Sequence, residues 1–208
     1  MRAANLLAMI VAMAGGMCAI AQTDPHLHRH AADATATDEH AQHRAEAASV
    51  RVGRGTYRVP DIALRDEQGR SVRLRELLAS DRPLAINFIY TSCTSICPVM
   101  TATFLQMQKD LAADPHRPQF VSISIDPDFD SAAILKAYAQ RYGAHWSFLT
   151  GPGADVISVL RAFDAYRGNK VNHVALTLLR APHREDWTRV EGLASSEQLV
   201  RLWKDIAT

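Results

Sequence analysis

A chain of 208 residues with 48% hydrophobic content is long enough for one domain with its own buried core and an extension besides. Its 23 basic and 22 acidic side chains nearly cancel, so nothing suggests the basic excess on one face that a nucleic acid would need. No nucleic-acid partner is expected.

The first residues read as an address. Arg2 is the only charge before the apolar run 3–21, and Ala19-Ile20-Ala21 offers the small-x-small pattern that signal peptidase cuts. Residues 1–21 are therefore expected to be a signal peptide, or an N-terminal anchor, since the run just reaches bilayer-spanning length. Lipid attachment at Cys18 suits the sequence less, because Met17 is large for the position before a lipidated cysteine. Every route exports the remainder, so the expected location is the periplasm, with the inner membrane involved only if the segment is retained. Residues 22–48 are rich in Ala, Asp, Glu and His and hold almost nothing large and apolar. Such a stretch cannot offset its conformational entropy and is expected to be a disordered arm. Five of the nine histidines lie in it, His26, His28, His30, His40 and His43; they make it either a metal-binding tract or a plain solvated tether.

Residues 49–208 are expected to fold as one domain. Residues 57–64 and 71–74 read as a hairpin around the turn Asp66-Glu67-Gln68-Gly69, where Gly69 supplies the permissive position. Residues 84–90 are nearly continuously apolar, the mark of a strand buried on both faces. The pair Cys93 and Cys97 follows at once. Met100, Phe104, Met107 and Leu111 then share one helical face. Residues 120–125 are a second strand, and Asp130 is placed to cap a helix running to Tyr142. Residues 146–149 are strand-like, 154–163 helical, 173–179 a strand begun by His173, and 187–190 its partner. A last amphipathic helix brings Leu199, Leu202, Trp203 and Ile206 together. Alternating strands and helices argue for an α/β domain with a mainly parallel sheet covered on both faces. A dithiol leaving the carboxyl end of a central strand and opening a helix is the thioredoxin-like arrangement, a central mixed sheet with helices on both sides.

Once Cys18 is set aside with the leader, only Cys93 and Cys97 remain, as a disulfide, a redox couple or a metal pair. Their four-residue spacing brings both sulfurs to one side of a helical first turn, where positive potential favours thiolate. As a staple so short a loop constrains the unfolded chain by about 2 kcal/mol, against about 3 for a 15-residue loop, and a domain with a full core hardly needs it. Redox and metal chemistry stay open. Two thiolates are a poor zinc site, which wants four ligands, whereas Cu(I) accepts fewer and softer donors. His173, on the same sheet edge as the dithiol, is then a candidate third ligand; a structural histidine at a strand start is the other reading. Asp126-Pro127 makes a turn, and Asp126 and Asp130 are read as structural rather than as ligands of a soft ion.

Three stretches in order, Asn87-Phe88-Ile89-Tyr90-Thr91-Ser92-Cys93 with Cys97-Pro98, Ser124-Ile125-Asp126-Pro127-Asp128-Phe129-Asp130, and Val171-Asn172-His173, resemble the SCO/SenC family across essentially the whole folded domain. The resemblance implies a thioredoxin-like copper protein whose ligands are Cys93, Cys97 and His173. It implies copper as Cu(I), with Cu(II) as a further state, and a role in assembling the dinuclear copper centre of cytochrome c oxidase, whose subunit II would be the client. This chain departs from the family in carrying Thr94-Ser95-Ile96 between its cysteines, where members usually have Pro first and an acidic residue two further on. It also has Asn172 before the histidine, where Asp is common. Both departures remove negative charge from the site. Three functions follow: a copper-carrying assembly factor that is not an enzyme and needs a thiol reductant; a periplasmic thiol-disulfide oxidoreductase in which Cys93, the more exposed thiol, attacks and Cys97 resolves; and a scavenger acting mainly through the His-rich arm. A standard thioredoxin would carry a cis-proline facing the dithiol, and no proline lies between Gly153 and Ala181.

Overall fold

The apolar run after Pro83 becomes β4 (Leu84–Ile89), buried at every position near the middle of the computed structural model, which describes residues 49–79, 81 and 83–207. The expected leader and His-rich arm, residues 1–48, lie outside the described residues. In chain order the remaining elements are β1 (Arg51–Thr56), β2 (Ala63–Arg65), β3 (Ser71–Arg73), α1 (Leu74–Ala79), α2 (Ile96–Asp110), β5 (Gln119–Ser124), α3 (Ala132–Tyr142), β6 (Ser147–Leu149), α4 (Gly153–Ala162), a 3-10 turn (Lys170–Asn172), β7 (Leu176–Arg180), β8 (Asp186–Glu191) and α5 (Ser196–Ala207). Six strands form one sheet in the order β1-β8-β7-β4-β5-β6, and β2 pairs β3 apart from it.

The sheet is mixed, not mainly parallel. β4–β5 and β5–β6 are parallel, and their crossovers are the helices α2 and α3. β7 returns antiparallel beside β4, with Asn87 opposite Thr177 and Leu84 opposite Arg180, and β8 and β1 continue antiparallel. The reason is connection length: β7 and β8 are joined by a short turn, which can only make an antiparallel pair.

Side chains alternate across the pleat of β4, so its two faces seed two cores. Ala85 and Ile89 meet Phe104 and Met107 of α2, Leu135 and Tyr138 of α3, and Leu199 and Trp203 of α5. Leu84, Ile86 and Phe88 meet Leu74 and Leu78 of α1, Val156 and Leu160 of α4, and Phe163 and Trp187. Each such fully buried Leu, Ile or Phe contributes roughly 1.5–3 kcal/mol. With apolar area removed on both sides, the end of β4 is a fixed platform.

Three local expectations are corrected. A strand that was not expected, β1, precedes the expected hairpin arm 57–64 and joins the main sheet; β1 is exposed along most of its length, so no apolar alternation announced it. The β2–β3 hairpin does form, shorter than expected, with Gly69 at φ 80° and the Asp66 carboxylate accepting from the N–H groups of Gln68 and Arg70 at 3.0 and 2.8 Å. The cap of α3 is Ser131, whose hydroxyl accepts from the Ile134 N–H at 3.3 Å, and the helix stops at Gly143 with φ 65°. Asp130, the expected cap, turns the other way, into the end of the sheet.

Candidate metal centre

The chain leaves β4 at Ile89, turns through Tyr90 to Ser95, and enters α2 at Ile96. Ser95 holds the cap position but makes no side-chain cap bond. A sulfur does that work: the Cys97 N–H points to Cys93 Sγ at 3.5 Å, and Ser95 Oγ lies 3.7 Å from it. Both cysteines are free and both are buried, so the attacking thiol of a redox reading is less exposed than the sequence suggested. Burial pushes the Cys93 thiol up, but the N–H groups of Cys97 and Ser95 outweigh it and set Cys93 at about 7. At neutral pH about half of it is thiolate. Cys97 is the opposite case, with burial pushing its thiol far up even though the Tyr90 N–H donates to it. One sulfur is activated and its neighbour is kept protonated, although both sit on the same turn.

Asp130 holds this loop in place. Its carboxylate is fully buried and accepts the Thr91 N–H at 3.1 Å, the Thr91 hydroxyl, and the Ser124 hydroxyl at 2.6 Å. A buried carboxylate is tolerated only when its lone pairs are filled in this way. The ends of β4 and β5 are thereby tied through one side chain. Ser124 Oγ also accepts the Asp126 N–H at 3.0 Å, and Asp126 in turn binds Lys170 Nζ at 2.5 Å. Below the loop, Thr101 of α2 donates to the Cys97 carbonyl at 2.9 Å and receives the Tyr138 hydroxyl of α3 at 2.8 Å.

His173 does not begin a strand. It follows the 3-10 turn in extended backbone, with β7 starting three residues later. The Asn169 side chain accepts the Val171 N–H at 3.0 Å, and this local bond competes with sheet pairing. His173 Nε2 lies 2.9 Å from the Phe88 carbonyl oxygen. A carbonyl only accepts, so Nε2 carries the proton and Nδ1 keeps its lone pair. Burial lowers the imidazole pKa, which favours that neutral form.

Tyr90 stands where the dithiol and His173 meet. Its ring is edge-on to His173 at 6.2 Å between centroids, Lys170 Nζ lies 5.8 Å from its centroid, and burial, with Cys93 nearby, pushes its hydroxyl pKa up. The structure thus brings Cys93 and Cys97 together and sets His173 edge-on against Tyr90. Among the described residues no three His, Cys, Asp or Glu side chains converge closely enough to hold a metal. Two thiols and one imidazole lone pair at the same sheet end are nonetheless a donor set suited to a soft monovalent ion. Sequence reasoning missed Tyr90, Thr91 and Lys170. Lys170 carried a usable signal, a lone cation three residues before the candidate histidine.

Residues 56–207 match the SCO1/SenC family over most of the chain. The chain belongs to that family. A SCO1 protein homologue of Bacillus subtilis is 36% identical over 114 residues, 52% of this chain and 58% of the relative. A mitochondrial SCO2 homologue of Bos taurus is 31% identical over 128 residues, 60% of this chain and 46% of the relative. This chain therefore spans about half the length of these SCO relatives. Among solved structures, BsSco, described as having a disulfide switch and as a member of the Sco family of cytochrome c oxidase assembly proteins, superposes with a TM-score of 0.61 at 27% identity, over 72% of this chain and 93% of its own. ScoI of Bradyrhizobium japonicum, solved with copper bound, has the same fold, with a TM-score of 0.57 at 23% identity over 73% and 97%. The thioredoxin-like α/β fold with a central mixed sheet is the Sco fold. No helix among the described residues is long and apolar enough to cross a membrane.

Proposed function

We propose that this SCO1/SenC protein is a copper carrier, not an enzyme: it takes Cu(I) as cargo on Cys93, Cys97 and His173 and passes it to a cuproprotein, the dinuclear copper centre of cytochrome c oxidase. The observation that carries the reading is the pair of free, unequal thiols beside a neutral histidine whose Nδ1 lone pair is unused. Relatives described as oxidase assembly proteins, and a neighbour with copper bound, support it.

Cys93, already half thiolate, supplies the first soft donor at neutral pH. Cys97 must give up its proton to join, so loading releases a proton at that sulfur. His173 donates without any proton change, because its ring is neutral and its other nitrogen is fixed on the Phe88 carbonyl. A client bearing its own thiolates removes the ion by stepwise ligand exchange, with Cys93, the less buried sulfur, as the last protein ligand to leave. Both cysteines must be reduced for loading, which in an exported protein calls for a thiol reductant partner. Export itself, periplasmic residence and a subunit II client belong to the same reading. The test is anaerobic Cu(I) titration of the reduced protein beside Cys93→Ala and His173→Ala. One tight equivalent, abolished by the first variant and weakened by the second, is expected; tight binding indifferent to His173→Ala defeats the three-ligand site.

Thiol exchange is the second reading, favoured by the same inequality of the thiols: an activated Cys93 and a protonated Cys97 are an attacking and a resolving pair. The histidine has no role in that chemistry. A dithiol potential in the strongly reducing range, from a protein that binds no copper, would decide for it.

A further inference from the structure

Lys170 is the only charged side chain in the turn that delivers His173, and its ammonium reaches 2.5 Å from the Asp126 carboxylate. Apart from the Asn169 side chain on the Val171 N–H and the contact of His173 Nε2 with the Phe88 carbonyl, the turn has no other side-chain tie to the sheet among the described residues. Val171 is 74% exposed and Val174 42%, so no apolar side chain of the turn is anchored in either core. One wall of the turn borders an open cleft of about 300 Å³ shared with Asp126, Arg167 and Lys170. The ion pair is also not isolated. From the dithiol loop, Thr91 reaches Asp130, Asp130 reaches Ser124, Ser124 reaches the Asp126 backbone, and the Asp126 carboxylate reaches Lys170, an unbroken run of polar contacts. Lys170 O then accepts the His173 N–H at 3.1 Å. The same ammonium lies over the ring of Tyr90, which packs edge-on against His173.

We propose that Lys170 is the positioning residue for His173: its pairing with Asp126 fastens the histidine's turn to the framework that carries the dithiol, so that the imidazole is presented to the same ion as the two sulfurs. This rests on the copper reading above. Lys170 touches no cargo; it sets how far and in which orientation the third ligand stands. Partners that orient a ligand in this way typically change metal affinity by about 10- to 100-fold when removed. A partly exposed pair belongs at the low end of that range.

The experiment uses the whole reduced chain and two readouts. In the metal-free protein labelled with ¹⁵N-histidine, long-range ¹H–¹⁵N correlation shows His173 as a single Nε2–H tautomer. Lys170→Ala is expected to turn this into a mixture, and Lys170→Arg to preserve it. In Cu(I) competition against a chromophoric chelator, Lys170→Ala and Asp126→Asn each weaken binding about tenfold, Lys170→Arg stays close to wild type, and adding His173→Ala to Lys170→Ala costs nothing more. A Lys170→Ala protein that keeps the single tautomer, or keeps the full loss on His173→Ala, overturns the proposal. If the wild-type chain holds no Cu(I) on its dithiol, the carrier reading fails by itself, and the tautomer measurement alone decides whether Lys170 positions His173.

Discussion

Replacing Asp130 by alanine should be among the most damaging single changes at the site end of the sheet. The substitution strands the Thr91 N–H, the Thr91 hydroxyl and the Ser124 hydroxyl. Each buried donor left without an acceptor costs about 1–3 kcal/mol. Ser124 is fully buried and bears the full cost, while half-buried Thr91 recovers part of its loss from water. The expected total is about 3–5 kcal/mol, with some relief from no longer burying a charge already counted. For a domain of this size each kcal/mol moves Tm by about 2–4 °C, so Asp130→Ala should lower Tm by about 6–20 °C. Asp130→Asn keeps the shape but sets an amide N–H₂ against donors, and should fall between alanine and wild type. The comparison variant is Ser131→Ala, which removes the actual cap of α3 and should cost about 1 kcal/mol. Thermal unfolding of the reduced, metal-free protein by far-UV circular dichroism measures all three. If Asp130→Ala moves Tm no more than Ser131→Ala does, the carboxylate is an ordinary helix cap and the tie between β4 and β5 is refuted.

Carboxymethylation of Cys93 should follow its thiolate: the rate rises about tenfold per pH unit on the acid side and levels off above a midpoint of about 7. A thiol at the ordinary value of 9.0 would still be gaining reactivity two units higher. Cys97, held protonated by burial, should stay unmodified across the same range, which peptide mapping by mass spectrometry reads directly. In the core on the α2 side of the sheet, Phe104 stacks edge-on with Phe120 at 5.1 Å and Trp146 at 6.0 Å. Phe104→Ala should therefore cost about 3–5 kcal/mol in urea unfolding, and a loss below 1 kcal/mol would contradict that packing.

The legible parts of this molecule are those whose signal is local and apolar. The run before the dithiol announced β4, and the heptad-like spacing of Met100, Phe104 and Met107 announced α2, because burial on both sides or along one face leaves a period in the sequence. Cys93, Cys97 and His173 were named from residue type, order and resemblance, and the fold does bring them to one sheet end. What stayed hidden depends on long-range partners. β1 reads as loop because its stability comes from pairing with β8 and from ion pairs such as Arg51–Glu191, not from apolar alternation. Asp130 looked like a cap because a capping residue and a buried acceptor have the same local signature; only the approach of Thr91, 39 residues earlier in the chain, tells them apart. The strand expected at His173 failed for a similar reason, since the Asn169 side chain closes a turn where propensity alone favours extension.

Arginine and glycine in β1, which made that strand unreadable, have a consequence for how this protein meets others. β1 is an outer strand of the six, and its exposed positions carry Arg51 and Arg54, each held across the ladder by an acid on β8. A charged rim of this kind disfavours strand addition by a second molecule. The opposite rim, β6, is only three residues long, and Thr150 just beyond it is bridged to Arg65 of the β2–β3 hairpin. With both lateral rims closed to augmentation, another protein finds no free backbone ladder along either edge of the sheet. The architecture keeps backbone pairing out of any contact made at the sheet edges.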